Sequence, residues 1–248
     1  MPEQLTLYGH RHSSTSMIVA IALSEAKAEH TFYEVDLRNK PAWFAENINP
    51  AGKVPAITYG GPTVPPDQPS PQSTKLAESL VLVELVADLH PAAGLLPSDP
   101  LKRAKVRFFV TTVQTRYLEP YFHWFAFGRP GAWREIYEGA RAIQALLPES
   151  GEGYAVGEEF TTADCVFAPA AGRTKIAYER GIGRFPPEEA VQLRELMDAP
   201  EMARFRAYVG RVLERPSVKA NFGEDWVAEG TKVVVELFNQ RDAASAST

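Results

Sequence analysis

The stretch from Leu5 to Leu23, LTLYGHRHSSTSMIVAIAL, constrains the rest of the chain most strongly, because three kinds of residue follow one another there without overlap. Leu5, Leu7 and Tyr8 form a short β-prone run, Gly9 to Ser16 is almost wholly polar, and Met17 to Leu23 is a continuous apolar segment suited to a helix. Strand, polar turn, helix is the reading. Ser13, Ser14, Thr15 and Ser16 are all residue types that cap helix N-termini, so one hydroxyl is expected to accept a bond from a backbone N–H that the first turn leaves unpaired. A helix N-terminus also favours negative charge, so a hydroxyl there suits an anionic ligand atom. The stretch alone leaves capping and ligand binding both open.

The next segments extend the pattern. Thr31 to Asp36 (TFYEVD) alternates and carries aromatic and β-branched residues, which predicts a second strand and hence a βαβ start. Lys40 to Asn49 (KPAWFAENIN) predicts a helix with Pro41 in its first turn and Trp43, Phe44 and Ile48 as its apolar side, ended by Asn49-Pro50-Ala51-Gly52. Lys53 to Tyr59 predicts a strand entered through Pro55, and Val54-Pro55 is a cis candidate. Gly60 to Ser73 (GGPTVPPDQPSPQS) is too rich in Pro, Gly and Ser to pack a core and is expected to be an exposed loop. Ala77 to Leu89 (AESLVLVELVADL) then predicts an apolar helix with Glu78 and Ser79 in its first turn.

The segment His90 to Pro100 holds three prolines and a glycine, and no βαβ pattern follows it. It is the expected boundary, giving an α/β domain over 1–90, a linker over 91–100 and a second domain over 101–248. That second domain reads as helices: Lys102 to Tyr117, the aromatic block Tyr121 to Phe127, Ala132 to Leu147, the run after Pro200 and the amphipathic piece Trp226 to Phe238. The tail from Asn239 is expected to fray. Thr161-Thr162-Ala163-Asp164, preceded by Phe160, is a capping-box signature.

Composition removes several function classes. A chain of 248 residues at 45% hydrophobic holds one large or two ordinary domains with a sizeable core. The formal net charge of -5 and the lack of a long basic run argue against nucleic acid. No run approaches a membrane span, no leader pattern opens the chain, and the single cysteine, Cys165, allows no internal disulfide; a cytoplasmic protein is expected. Cys165 itself reads as a small core residue. His10 and His12 form a weak H-x-H signal and read as solvated or backbone-bonded, and no HExxH, P-loop or GxGxxG pattern is present.

The polar strand-to-helix turn, KPAWFAENINPAGKVPAI, the Val54-Pro55 pair and Glu78-Ser79 at a helix start together resemble the glutathione transferase superfamily. FTTADC and Arg215-Pro216-Ser217-Val218 in the second half resemble further segments of it. The resemblance implies an α/β thioredoxin-like N-terminal domain plus an all-α C-terminal helical domain. The Lys40 to Pro55 segment looks most like the omega class, fungal members included. That class has a cysteine at the start of the first helix; here the register places Ser13 at that position, with Ser14 where its proline follows. A serine cannot form a mixed disulfide with glutathione, so the resemblance implies a serine-type enzyme whose hydroxyl donates to the glutathione sulfur. The register leaves Ser13 and Ser14 both open. The Gly60 to Ser73 segment is longer than the family's tight hairpin and is expected near the glutathione edge.

The same resemblance implies the ligand set. Val54 and Pro55 would pair with the cysteinyl amide of glutathione, Glu78 and Ser79 would hold its γ-glutamyl end, and Lys40 would meet its glycyl carboxylate. Read without the resemblance, Glu78 is a first-turn acid, Ser79 a cap and Lys40 a surface charge. Tyr121, Phe122 and Phe125 share helical spacing and are candidates for the hydrophobic acceptor site, with core packing the alternative. Implied activities are conjugation of glutathione to hydrophobic electrophiles or reduction of peroxides, in a homodimer, with glutathione as co-substrate and no metal. The alternative is a non-catalytic ligandin for aromatic compounds such as polyphenols.

Overall fold

The chain divides inside its proline-rich segment, one unit running to Leu96 and the other beginning at Pro97. The computed structural model describes residues 3–246. The first unit is thioredoxin-like and the second all-helical.

In the first unit, β1 (Leu5–Gly9) is buried along its whole length and leads through the polar turn into α1 (Ser14–Glu25). Then follow β2 (Thr31–Glu34), α2 (Ala42–Asn47), β3 (Ala56–Tyr59), β4 (Thr74–Ala77) and α3 (Ser79–Leu89). The sheet order is β2-β1-β3-β4, with β1 parallel to β2 and the other pairs antiparallel. Because successive side chains on a strand point to opposite faces, β1 feeds two cores. Tyr8 joins Val35, Phe44, Ile48 and Ala56 under α2, its ring tilted against Tyr33 and Phe44 at centroid distances of 5.7 and 6.1 Å. Leu7 lies opposite Ile57 on the other face, where α1 and α3 pack together.

Register also fixes which end of the sheet is which. Tyr8 pairs with Ala56 and Ala56 with Ala77, so the starts of α1 and α3 and the entry to β3 lie at one end. Leu5 pairs with Tyr59 and Tyr59 with Thr74, so the Gly60 to Ser73 segment springs from the other end. It is also tied down: Gln4 pairs with both backbone groups of Val64 at 2.9 and 3.0 Å, and Tyr8 Oη donates to Pro66 O at 2.7 Å.

In the second unit, α4 (Pro100–Val113), a π-helical segment (Gln114–Leu118) and α5 (Glu119–Phe127) form one uninterrupted helical run where two separate helices are expected from the sequence. Next come α6 (Ala132–Leu146), α7 (Thr162–Arg180), α8 (Pro187–Asp198), α9 (Ala203–Glu214), α10 (Pro216–Lys219) and α11 (Glu224–Ala246). Helix α11 runs on past Asn239 to Ala246; Ser247 and Thr248 lie outside the described residues. The central helix, α7, is buried through most of its length, and Cys165 sits fully inside it. Its capping box is present: Thr161 N–H donates to Asp164 Oδ2 at 2.8 Å, while Oδ1 accepts from Ala155 N–H and Tyr208 O–H at 2.9 and 2.7 Å. Rings of Phe109, Tyr117, Phe167, Phe205 and Tyr208 pack around α7 with centroids 4.8 to 6.2 Å apart. Among the described residues no helix is long and apolar enough to cross a membrane.

Candidate functional site

A cavity of about 410 Å³ opens at the end of the sheet where α1 and α3 begin. Ser13, Lys40, Val54, Pro55, Glu78 and Ser79 all line it, so residues up to 66 positions apart in sequence (79 minus 13) meet in one place. Thr15, Leu37, Asn49, Gly52 and Lys53 complete the wall.

Ser13 is the N-cap of α1. Its backbone is extended (φ -82°, ψ 119°) and its Oγ accepts the Ser16 N–H at 3.3 Å, so the capping expected of this turn falls on Ser13. Ser14 is the first helical residue and does not line the cavity. Ser16 is buried, and its Oγ accepts from His10 N–H at 3.3 Å. Thr15 Oγ1 lies 2.9 Å from Ser13 Oγ and donates to Val54 O at 3.3 Å. Val54-Pro55 is cis, as the sequence suggests, and β3 begins just after it.

The opposite wall is the start of α3. Glu78 is its N-cap and holds a positive φ of 70°, a conformation rare for a residue with a Cβ and often found at functional sites. Ser79 is the first helical residue. Two helix N-termini therefore converge on one cavity, each the positive end of a macrodipole. Lys40 Nζ donates to Gly52 O at 2.9 Å, which brings its ammonium to the same wall as Lys53. Buried Asn49 braces that wall: its Nδ2 donates to Lys53 O at 2.7 Å and its Oδ1 accepts from Ala51 N–H at 3.1 Å. In the sequence, Asn49-Pro50-Ala51-Gly52 reads only as a helix stop, and Thr15 only as one of four caps. Their part in the wall comes from a turn closing on itself, which residue type does not reveal.

Chemically the cavity offers positive potential from two helix ends and two lysines, one carboxylate for a cation, and the backbone of Val54. It suits a small ligand with more than one anionic group, an ammonium and an amide. In the turn before α1 the His10 ring accepts from the His12 backbone N–H at Nδ1 (3.2 Å), and its Nε2 lies 3.8 Å from Glu34 Oε1. Among the described residues no cluster of His, Cys, Asp or Glu could hold a metal ion.

The aromatic candidates of α5 separate. Tyr121 and Phe125 stack at 5.4 Å between centroids and are buried. Phe122 is 46% exposed and stands edge-on to Phe127, so the three do not share one face as their spacing suggests. One residue along a helix is a rotation of about 100°, which carries Phe122 off the stripe that Tyr121 and Phe125 occupy. Burial pushes the Tyr121 phenol up to about 12, with the nearby Arg173 guanidinium pulling the other way.

A thioredoxin-like unit with a polar cavity at its α1 and α3 N-termini, followed in the chain by an all-helical unit, defines a class. Residues 7–94 match the glutathione S-transferase N-terminal domain family and residues 126–211 the glutathione S-transferase C-terminal domain family. Glutathione transferase Omega 1C of Trametes versicolor is 42% identical in sequence, with 96% of this chain and 98% of that one covered at a TM-score of 0.89. Omega 2S of the same fungus, solved in complex with 2,4-dihydroxybenzophenone, is 37% identical over 94% of this chain and 100% of that one, at a TM-score of 0.87. The probable maleylacetoacetate isomerase of Caenorhabditis elegans is 31% identical over 66% of this chain and 75% of its own length. The chain belongs to the glutathione transferase superfamily, with omega-class structures among its neighbours.

Proposed function

We propose that this chain is a serine-type glutathione transferase in which the Ser13 hydroxyl donates a hydrogen bond to the glutathione sulfur. The observation that carries the proposal is the position of Ser13: N-cap of α1, its Oγ on the wall of the same cavity as Lys40, Val54, Glu78 and Ser79. Glu78 takes the γ-glutamyl ammonium, Ser79 and the α3 N-terminus take its carboxylate, Val54 pairs with the cysteinyl amide as an added strand does, and Lys40 meets the glycyl carboxylate.

Magnitudes support a donor at the sulfur. A thiol titrates near ~8.5, and a useful thiolate fraction at neutral pH needs a shift of about one to two units, roughly 1.4–2.7 kcal/mol. A helix N-terminus supplies about 0.3–1 kcal/mol, up to ~2 when partly buried. A hydroxyl bonded to a charged acceptor adds about 1.5–3 kcal/mol, which closes the gap. Ser13 is then an orienting donor, and the nucleophile is the thiolate.

The experiment is a steady-state panel with an aryl halide, an isothiocyanate, a hydroperoxide, a disulfide and maleylacetoacetate, the compound named for the isomerase relatives. It is run on the parent protein, Ser13→Ala and Ser14→Ala. Glutathione-dependent turnover lost in Ser13→Ala and kept in Ser14→Ala is expected; no turnover above the uncatalysed rate overturns the enzyme reading. The second reading, a ligandin for aromatic compounds, is favoured by the benzophenone held by the Omega 2S relative. Tight binding of hydroxylated benzophenones without turnover would select it. The acceptor contacts assigned to Tyr121, Phe122 and Phe125, a homodimer and a cytoplasmic location belong to the same proposal, and light scattering checks the dimer.

A further inference from the structure

Two hydrogen bonds run from the serine of this site to the carbonyl beside it. A hydroxyl has one proton to give and two lone pairs to receive with. Either hydroxyl can donate in the 2.9 Å contact between Thr15 Oγ1 and Ser13 Oγ; with the Thr15 proton on Val54 O, 3.3 Å away, that donor is Ser13. Ser13 Oγ meanwhile accepts the Ser16 N–H. With Thr15 donating to the carbonyl, the donors run from Ser16 N–H to Ser13, to Thr15, to Val54 O. In that order the Ser13 proton is spent on Thr15.

We propose that Thr15 is a positioning residue that sets the direction of the Ser13 proton and turns it toward the sulfur when a substrate amide occupies the Val54 carbonyl. This rests on the reading of Ser13 and Val54 given above. The link to the carbonyl is the weak one: 3.3 Å is long for an O–H···O bond, whose usual length is about 2.7–2.8 Å. The carbonyl's two lone pairs can hold both donors, but an amide N–H on Val54 O draws on the same oxygen and weakens this already long bond. Thr15 then turns its proton to the nearest acceptor, Ser13 Oγ, and Ser13 turns its own to the sulfur. Each hydroxyl keeps its proton and only directions reverse. Ser13 ends with both lone pairs filled, by Ser16 N–H and Thr15 O–H, and a donor that accepts two bonds donates more strongly. The other two serines of this turn do not substitute: Ser14 does not line the cavity and the Ser16 hydroxyl is buried against His10 N–H. The device links occupation of the amide position to activation of the thiol.

The test measures the pKa of the bound glutathione thiol, from thiolate ultraviolet absorbance, in the parent, Ser13→Ala, Thr15→Val, Thr15→Ser and the Ser13→Ala/Thr15→Val pair. Binding of S-methylglutathione, which has no thiol to ionise, is measured alongside. Ser13→Ala is expected to raise the thiol pKa by about one unit. Thr15→Val is expected to raise it by roughly a third of that shift. Thr15→Ser is expected to restore the parent value, and the double variant to match Ser13→Ala alone, since Thr15 acts only through Ser13. S-methylglutathione binding is expected to stay within about twofold throughout, a span of roughly 0.4 kcal/mol. If Ser13→Ala shifts the thiol and Thr15→Val does not, or the two add, the relay is wrong and the serine reading stands. If Ser13→Ala leaves the thiol unmoved, both fall.

Discussion

Gly139 of α6 lies so close to the Arg116 carbonyl that a β-carbon on it would sit 1.9 Å from that oxygen. Arg116 belongs to the π-helical segment, and Pro120, four residues on, brings no N–H to its carbonyl. The π turn, the proline and the glycine are thus one arrangement, in which α6 closes on a helix that has been opened. Gly139→Ala must push backbone aside and is expected to cost about 3 kcal/mol or more, the upper range for overpacking. Urea unfolding of the two proteins measures it; a loss under about 1 kcal/mol means that α6 shifts freely.

A second expectation concerns the identity of residue 13. Ser13→Cys places a thiol at the N-cap of a twelve-residue helix, with the Thr15 hydroxyl within reach of it. Cysteines at helix N-termini have pKa values lowered to about 3.5–7.5, so the variant is expected to form a mixed disulfide with glutathione and to gain disulfide exchange by at least about tenfold. Mass spectrometry of the adduct and a disulfide-exchange assay check it. An unchanged exchange rate with no adduct removes residue 13 from the sulfur-facing position.

The turn that opens the chain was legible because hydroxyls between a β-prone run and an apolar run have few other uses, and the structure gives the capping to Ser13. Glu78 and Ser79 were legible as a helix start, but the strand before them was not. Thr74 to Ala77 carries one β-former, Thr74, and becomes β4 by pairing with β3, a decision made by tertiary contact. Residues 102–117 and the aromatic block 121–127 read as separate pieces, yet the run continues because the π segment joins them across Pro120. Residues 187–198 drew no expectation, although they form α8, whose Glu189 accepts from Trp124 Nε1 at 2.8 Å and Gly131 N–H at 3.0 Å. Phe122 was misplaced because spacing pairs it with Phe125 as readily as with solvent, and only the neighbouring helices decide.

Asp164 yields a prediction about pH. Burial pushes its carboxyl up from the ordinary 3.8 to about 6, against the pull of Thr161, Tyr208 and Ala155, which all donate to it. The folded chain thus holds this proton more tightly than the unfolded one. Its titration contributes stability in full below about pH 4, and that contribution is lost as pH rises through about 6. Asp164→Ala removes the titration and leaves Ala155 N–H and Thr161 N–H buried without this acceptor, costing roughly 2–5 kcal/mol at neutral pH. Urea unfolding between about pH 4 and pH 7 is expected to show the gap between parent and variant widest at the acid end. A gap that widens toward neutral pH would mean that the hydrogen bonds to the carboxylate outweigh its burial.

Glu78 separates stability from binding. Its positive φ strains any residue with a Cβ by about 1–3 kcal/mol, and glycine would relieve this at an entropic cost of about 0.5–1 kcal/mol. Glu78→Gly is therefore expected to stabilise the fold by about 1 kcal/mol while removing the carboxylate assigned to the glutathione ammonium. Glu78→Gln keeps the strain and loses only the charge on an exposed side chain, so its stability is expected to stay within about 0.5 kcal/mol of the parent. Both variants are expected to bind glutathione about ten- to a hundredfold more weakly, the value of a hydrogen bond to a charged group. Calorimetric titration and thermal unfolding of the pair test the two halves separately. If Glu78→Gln binds as the parent does, the strained backbone is there for the helix start alone and the ammonium contact is wrong; if Glu78→Gly is less stable than Glu78→Gln, the strain itself is absent.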